Sequence, residues 1–250
     1  MNKLLIITLI FSTSCTLNVS KNNQLLENEI KSEFKNEKQI SEEISPQDVE
    51  VSTQNIEKIT REESSNTIIP DEFKINADFI CQAPLETTEN WTLHEESCEE
   101  AALLQVYNNE FGIKMTKSEA NKEIIRMIDW QNKNFNGHFD IYAHQLKELA
   151  INFYNLNEKQ VIIIENANFE DIKKIISQNH TIVAPATAKY LKNPHYKHQG
   201  YHMLQIIGYD KKYIYTNDNG TRKGKNFAYK IDVFMKAMED AGADILYIKK

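Results

Sequence analysis

The chain has 250 residues, 41% of them hydrophobic, and a formal net charge of −7, enough apolar sequence for one sizeable core or two small ones. The acidity is uneven, with a net charge of −6 over residues 16–75 and −2 over residues 76–250. The sequence has no basic patch, no cysteine pairs at zinc spacing and no phosphate-binding glycine loop, which argues against nucleic acid, nucleotides and a resident metal or other cofactor.

Residues 1–15, MNKLLIITLIFSTSC, join a Lys3 n-region to an apolar stretch and small residues before Cys15, the pattern of an export signal. The apolar part is too short for a stable spanning helix. The pattern resembles a lipoprotein signal with Cys15 as the lipidated residue, although Ser12 stands where such signals usually carry leucine; cleaved export and a plain anchor are the alternatives. Any membrane attachment is expected only through this segment. Residues 16–75 are rich in Glu, Asn, Gln, Lys and Ser without a sustained period, and are expected to form a disordered acidic linker. A folded domain is expected over 76–250.

That domain opens with an extended lead-in at 77–84. Ser97 followed by Glu100 reads as a capping box, so that Cys98 becomes the first residue of a helix carrying Ala102, Leu103, Val106 and Tyr107 on one stripe and ended by Gly112. Helices follow at 117–131 and, capped by Asp140, at 141–154. Segments rich in β-branched and aromatic residues at 161–165, 181–186, 201–209, 212–217 and 244–249 read as strands, with helices at 169–178 and 231–241 between some of them. Helices first, then a largely antiparallel sheet, is an α+β arrangement.

Only three cysteines are present, and one stands in HEESCEEAALL. Burial as a small hydrophobe, or a disulfide to Cys81, would explain Cys98 blandly. The glutamates at 95, 96, 99 and 100 make this an unusual core address, whereas free amides and the macrodipole at a helix N-terminus favour a thiolate; the same glutamates oppose it, so the dipole does not suffice alone. A thiol nucleophile needs a base, and the base an orienting partner. Of the seven histidines, His94, His138, His144 and His180 read as solvated or satisfied, and His195 and His198 sit in a loop, NPHYKHQG, that is a candidate to border a cleft. His202 stands where a buried strand begins. With the following hairpin centred on Asp210, opposed residues sum to 420 and His202 faces Asp218; a shift of one residue brings Asn217 or Asn219 there instead. The Cys98 amide and the Gln82 side chain are candidate donors to an oxyanion.

Taken in order, CQAP at 81–84, Trp91 with SCEEAALL at 97–104, YHMLQIIGYD at 201–210 and TNDNGTRKGKNFAY at 216–229 resemble the C39-like cysteine peptidase family, a papain-like fold related to the bacteriocin-processing peptidases. The resemblance implies N-terminal helices packed on an antiparallel sheet. It also implies Cys98 as nucleophile, His202 as base, Asp218 as the residue orienting it and Gln82 in the oxyanion hole, with no metal. Asn219 departs from the family's usual proline and implies a looser turn. No transporter module accompanies the domain, so leader processing coupled to export is not expected. The sequence therefore points to an exported cysteine peptidase or amidase acting on a peptide or other amide. Two rivals are a peptide-binding module that has lost hydrolysis and a transglutaminase-like amide transferase.

Overall fold

The computed structural model describes residues 68–196 and 199–250. The export signal at 1–15, the linker up to residue 67 and His198 lie outside the described residues. Ile68–Lys250 forms a single unit, so the fold begins eight residues before the expected boundary. Residues 68–75 contribute to it: Phe73–Lys74 is a short strand, β1, beside Tyr209 and Gly208, and the Tyr209 hydroxyl donates to the Pro70 carbonyl at 2.9 Å.

Four helices come next: α1 (Thr88–Leu93), α2 (Cys98–Phe111), α3 (Lys117–Asn134) and α4 (Ala143–Tyr154). Gly112 ends α2 in the left-handed conformation, φ 68°, which relieves the last carbonyls without a Cβ penalty. The remaining elements are β2 (Val161–Ile164), α5 (Phe169–Ser177), β3 (Ile182–Thr187), α6 (Ala188–Leu191), β4 (Tyr201–Tyr209), β5 (Tyr213–Asn217), β6 (Phe227–Lys230), α7 (Ile231–Asp240) and β7 (Ile245–Ile248). The strand order is β2-β7-β3-β4-β5-β6, with β1 added against β4, and every pairing is antiparallel. The α+β arrangement with helices ahead of an antiparallel sheet is therefore the observed one. The sequence reading passes over β1, β6, α1 and α6, which are too short to show a period.

The alternation of β3, β4 and β7 separates two cores. Val183, Met203, Leu246 and Ile248 face Leu103, Leu104, Ile124 and Leu146 of the first helices. On the other face, Ile182, Ala184, Leu204, Ile206 and Ile245 pack against Ile172 and Ile176 of α5 and Phe234 and Met238 of α7. The sheet is thus covered on both sides, and α2 lies across it with its first turn beside the start of β4.

Two local expectations are corrected. Ser97 precedes α2 without a side-chain cap bond; its hydroxyl meets His94 Nδ1 at 3.2 Å. Glu100 is bonded by the Gln131 amide and lies 3.3 Å from His138 Nε2. The first turn is buried, so its polar side chains find interior partners instead of closing a capping box. Helix α4 begins at Ala143 with Tyr142 at its cap position, and Asp140 lies in a cleft instead.

Candidate active site

The site forms where the N-terminus of α2 meets the start of β4. A cleft of about 650 Å³ opens there, within the size range of small-ligand sites. Gln82, Cys98, Tyr196, His202 and Gly220 line it, with Glu95, Glu96 and Asp140 on one wall and Arg222 and Lys223 also contributing. The Arg222 guanidinium lies over the Trp91 ring at 5.4 Å and donates to the Leu85 carbonyl at 2.9 Å.

Cys98 begins α2 and is 5% exposed, so the expectation that it avoids the core is wrong. Cys98 still lines the cleft, and the backbone N–H of Met203, next to His202, donates to its sulfur at 3.4 Å. The thiol donates to Glu99 Oε2 at 3.1 Å. Cys81 and Cys98 are both free thiols, which excludes the disulfide. The helix N-terminus was expected to favour the thiolate and the flanking glutamates to oppose it. Burial, then the adjacent Glu99 carboxylate, holds the thiol well above the ordinary cysteine range, with the Met203 N–H acting the other way. Desolvation and a like charge in contact both disfavour the thiolate.

His202 and Asp218 meet, though not by the expected route. The turn spans residues 210–212, with Asp210 Oδ1 accepting the N–H groups of Lys212 and Tyr213 at 2.7 Å. The strands pair as Gln205 with Asn217 and Ile206 with Thr216, then shift by one residue before Gly208. The true register runs two to three residues beyond the expected one, and the ladder ends at Asn217. Asp218 leaves the sheet and turns back, so that its Oδ1 lies 3.1 Å from His202 Nε2. Asn217 turns elsewhere, donating to the Asp78 carbonyl at 3.1 Å and to Gln205 Oε1 at 3.0 Å.

Two glycines make that reversal possible. The Asp218 N–H donates to the Gly224 carbonyl at 2.9 Å, and a Cβ on Gly224 would fall 1.7 Å from the Asp218 carbonyl oxygen. A Cβ on Gly220 would come within 2.8 Å of the His202 ring, while the Gly220 N–H donates to Asp218 Oδ1 at 3.2 Å.

Asp218 is wholly buried and accepts from more than the imidazole. The hydroxyls of Tyr196 and Tyr229 donate to its two oxygens, and Asn193 Nδ2 donates at 3.0 Å. Burial pushes this carboxyl up, but the bond and charge of His202, followed by the two tyrosines, outweigh it and leave the pKa below the ordinary aspartate value. The Tyr196 ring stands edge-on to His202 at 5.3 Å. Tyr229 sits unassigned in the NFAY part of a quoted motif and Tyr196 in the loop before β4; no spacing rule singles out either one.

Gln82 lies beside the helix start, but its amide nitrogen already donates to the carbonyls of His94 and Glu95, both at 2.8 Å. Both amide hydrogens are therefore used, and donation to an oxyanion requires one of these bonds to yield. The Gln82 backbone N–H donates to the Asn219 carbonyl at 3.0 Å, and Asn219 Nδ2 donates to the Cys98 carbonyl at 2.7 Å. Among the described residues no group of three or more His, Cys, Asp or Glu is arranged to hold a metal ion, and no helix is long and apolar enough to cross a membrane.

Comparison with known proteins bears on this arrangement. The model of the Peptidase_C39 like family matches residues 75–243. Among solved structures, a Bacillus anthracis protein assigned as a C39-like peptidase shares the fold with a TM-score of 0.51 at 16% identity, over 72% of this chain and 99% of that one. No curated protein matches the sequence.

Proposed function

The chain belongs to the C39-like peptidase family, and we propose that it is a cysteine peptidase or amidase that hydrolyses an amide bond through an acyl-enzyme on Cys98. With Nε2 bonded to Asp218, His202 exchanges protons with the sulfur through Nδ1. It takes the thiol proton as Sγ attacks the carbonyl carbon, and returns it to the departing amine. Water then attacks the thioester, giving up a proton to the same nitrogen. The Cys98 N–H and the Gln82 amide stabilise the tetrahedral oxyanion, and Asp218 keeps the ring oriented and supports its charged form. The observation that carries the reading is the buried His202–Asp218 pair at 3.1 Å, with His202 lining the same cleft as Cys98.

The same proposal places the domain outside the cytoplasm, on the strength of residues 1–15, held to the envelope through Cys15 and the acidic linker. Peptides and other amides both suit the cleft, and amide transfer to an amine in place of water is the variant within enzymes.

One observation favours a second reading, a peptide-binding module without hydrolysis: the Cys98 thiol is pushed up and the Gln82 amide is already bonded. Two measurements separate the readings. Stoichiometric alkylation of Cys98 near neutral pH supports the peptidase, as does the loss in Cys98→Ala of cleavage products that the native protein generates in a peptide library. A library left intact by the native protein, with Cys98 alkylated no faster than a free cysteine, refutes it.

A further inference from the structure

We propose that Glu99 is a second proton partner of the Cys98 thiol, sharing one proton with it and competing with His202, and so sets the pH at which the thiolate forms. The inference rests on the reading of Cys98 as nucleophile.

Successive residues on a helix do not normally meet. Here Glu99 folds back over the first turn, in the direction helical side chains lean, and its carboxylate is held there. Oε1 accepts the Ile141 N–H at 3.1 Å, which leaves Oε2 toward the sulfur at 3.1 Å. The Ile141 carbonyl accepts the Tyr201 hydroxyl at 3.3 Å, so the segment before α4 and the start of β4 together close Glu99 from solvent, at 0% exposure. A buried carboxylate in contact with the reacting atom, bonded to no cation among the described residues, needs an explanation that packing does not give.

The groups acting on it come from three parts of the chain: Cys98 and Glu100 on α2, Asp140 in the segment before α4, and Tyr201 on β4, whose hydroxyl is pushed up by burial and then by Glu99. Burial, then the charge of Glu100, pushes the Glu99 carboxyl well above the glutamate range. One proton therefore serves two atoms. With it on sulfur, the thiol donates to the carboxylate. When it passes to Oε2, the S–H bond breaks, the electron pair stays on sulfur, and the carboxylic acid donates back to the thiolate. No other reactant is required. Transfer of the thiol proton to His202 while Glu99 is ionised would leave two negative charges in contact in a buried site, so an ionised Glu99 holds Cys98 as the thiol.

The test follows alkylation of Cys98 by iodoacetamide across pH in the full chain, read by mass spectrometry of the Cys98 peptide so that Cys15 and Cys81 do not contribute. Glu99→Gln keeps the shape and removes the charge. Its alkylation midpoint should fall by at least one pH unit, with at least a tenfold higher rate below the wild-type midpoint; an unchanged or higher midpoint in the folded variant overturns the proposal. A second measurement needs no change at Glu99. In carbon-13-glutamate infrared spectra, Cys98→Ala should extend the protonated band of Glu99 to higher pH, because the thiol donor that favours the carboxylate is gone. An identical band in both proteins overturns the proposal as well. Neither arm uses hydrolysis, so a protein that cleaves nothing but shows both shifts keeps this inference and loses the peptidase reading.

Discussion

Asp218→Asn tests the charge of the acid with almost no change in shape. Of the five donors that the described residues place around the carboxylate, Oδ1 takes His202, Tyr196 and Gly220, and Oδ2 takes Asn193 and Tyr229. An asparagine amide placed at the Oδ2 position keeps the oxygen toward the imidazole. It faces two former donors, of which the Tyr229 hydroxyl can rotate to accept and the Asn193 amide cannot without breaking its Oδ1 bond to the His195 N–H at 3.0 Å. One opposed donor pair in a buried site costs about 1–3 kcal/mol of stability. For activity, the variant loses a hydrogen bond between charged groups in the step that makes the imidazolium. That is worth about 1.5–3 kcal/mol, or roughly 10- to 150-fold in rate at 1.4 kcal/mol per tenfold. The assay is kcat/KM on a peptide the native protein cleaves, with thermal melting as the control for folding. Full activity in Asp218→Asn would remove the acid from the mechanism. A greater loss in Asn217→Ala than in Asp218→Ala would transfer the role to the neighbour.

Cys98→Ala should abolish hydrolysis while the domain stays folded, with a modestly lowered melting temperature because Glu99 Oε2 and the Met203 N–H lose their partner; His202→Ala should abolish hydrolysis nearly as fully, because nucleophile and base act as a unit, and the double variant should be no less active than either. Gln82→Ala should cost roughly 100- to 1000-fold in kcat as an oxyanion donor, and it should also loosen the 94–95 turn, visible as faster amide exchange there. Asp218 has a lowered native pKa, so its contribution to stability is complete above the ordinary carboxylate value and is lost as pH falls through the native one. The melting-temperature gap between wild type and Asp218→Asn should therefore narrow as pH drops from about 6 toward about 3. Replacing Cys15 with Ser should remove metabolic lipid labelling and leave the domain folded; a parent protein that takes up no label rules out the lipoprotein proposal.

The long elements were legible because their periods are strong. Ala102, Leu103 and Val106 on α2 and the apolar run of β4 leave little choice of helix or strand. What failed was anything decided by where backbone polar groups go once the first turn is buried. Ser97 and Glu100 have the right spacing for a capping box, yet partners from α1, α3 and the loop before α4 compete for both side chains, and those partners lie up to 38 residues away in the case of His138. The hairpin register was misjudged because a turn of three residues and a bulge cannot be read from a strand's composition. Asp218 still reaches His202 because it does so from outside the ladder, where register no longer governs direction. The same burial bears on the thiol: the glutamates beside Cys98 read in sequence as opposing a thiolate, and the Ile141 N–H on Glu99 Oε1, with Oε2 at 3.1 Å from the sulfur, brings one of them into contact with it.

Asn219 shows how a departure from the family pattern changes in meaning once geometry is known. A proline at that position supports the turn through a fixed φ but has no amide to give. Here the side chain supplies what proline lacks, a donor to the Cys98 carbonyl at 2.7 Å, while the Asn219 carbonyl accepts the Gln82 N–H at 3.0 Å. One buried residue therefore ties the start of the Cys98 helix, the Gln82 segment and the Asp218 turn together, so the turn that the sequence suggested would be looser is instead cross-linked to both. Because proximity in catalysis rewards geometry held to fractions of an ångström, a tie of this kind substitutes for ring rigidity, and it places Asn219 among the residues that set the distance between Cys98 and the His202–Asp218 pair.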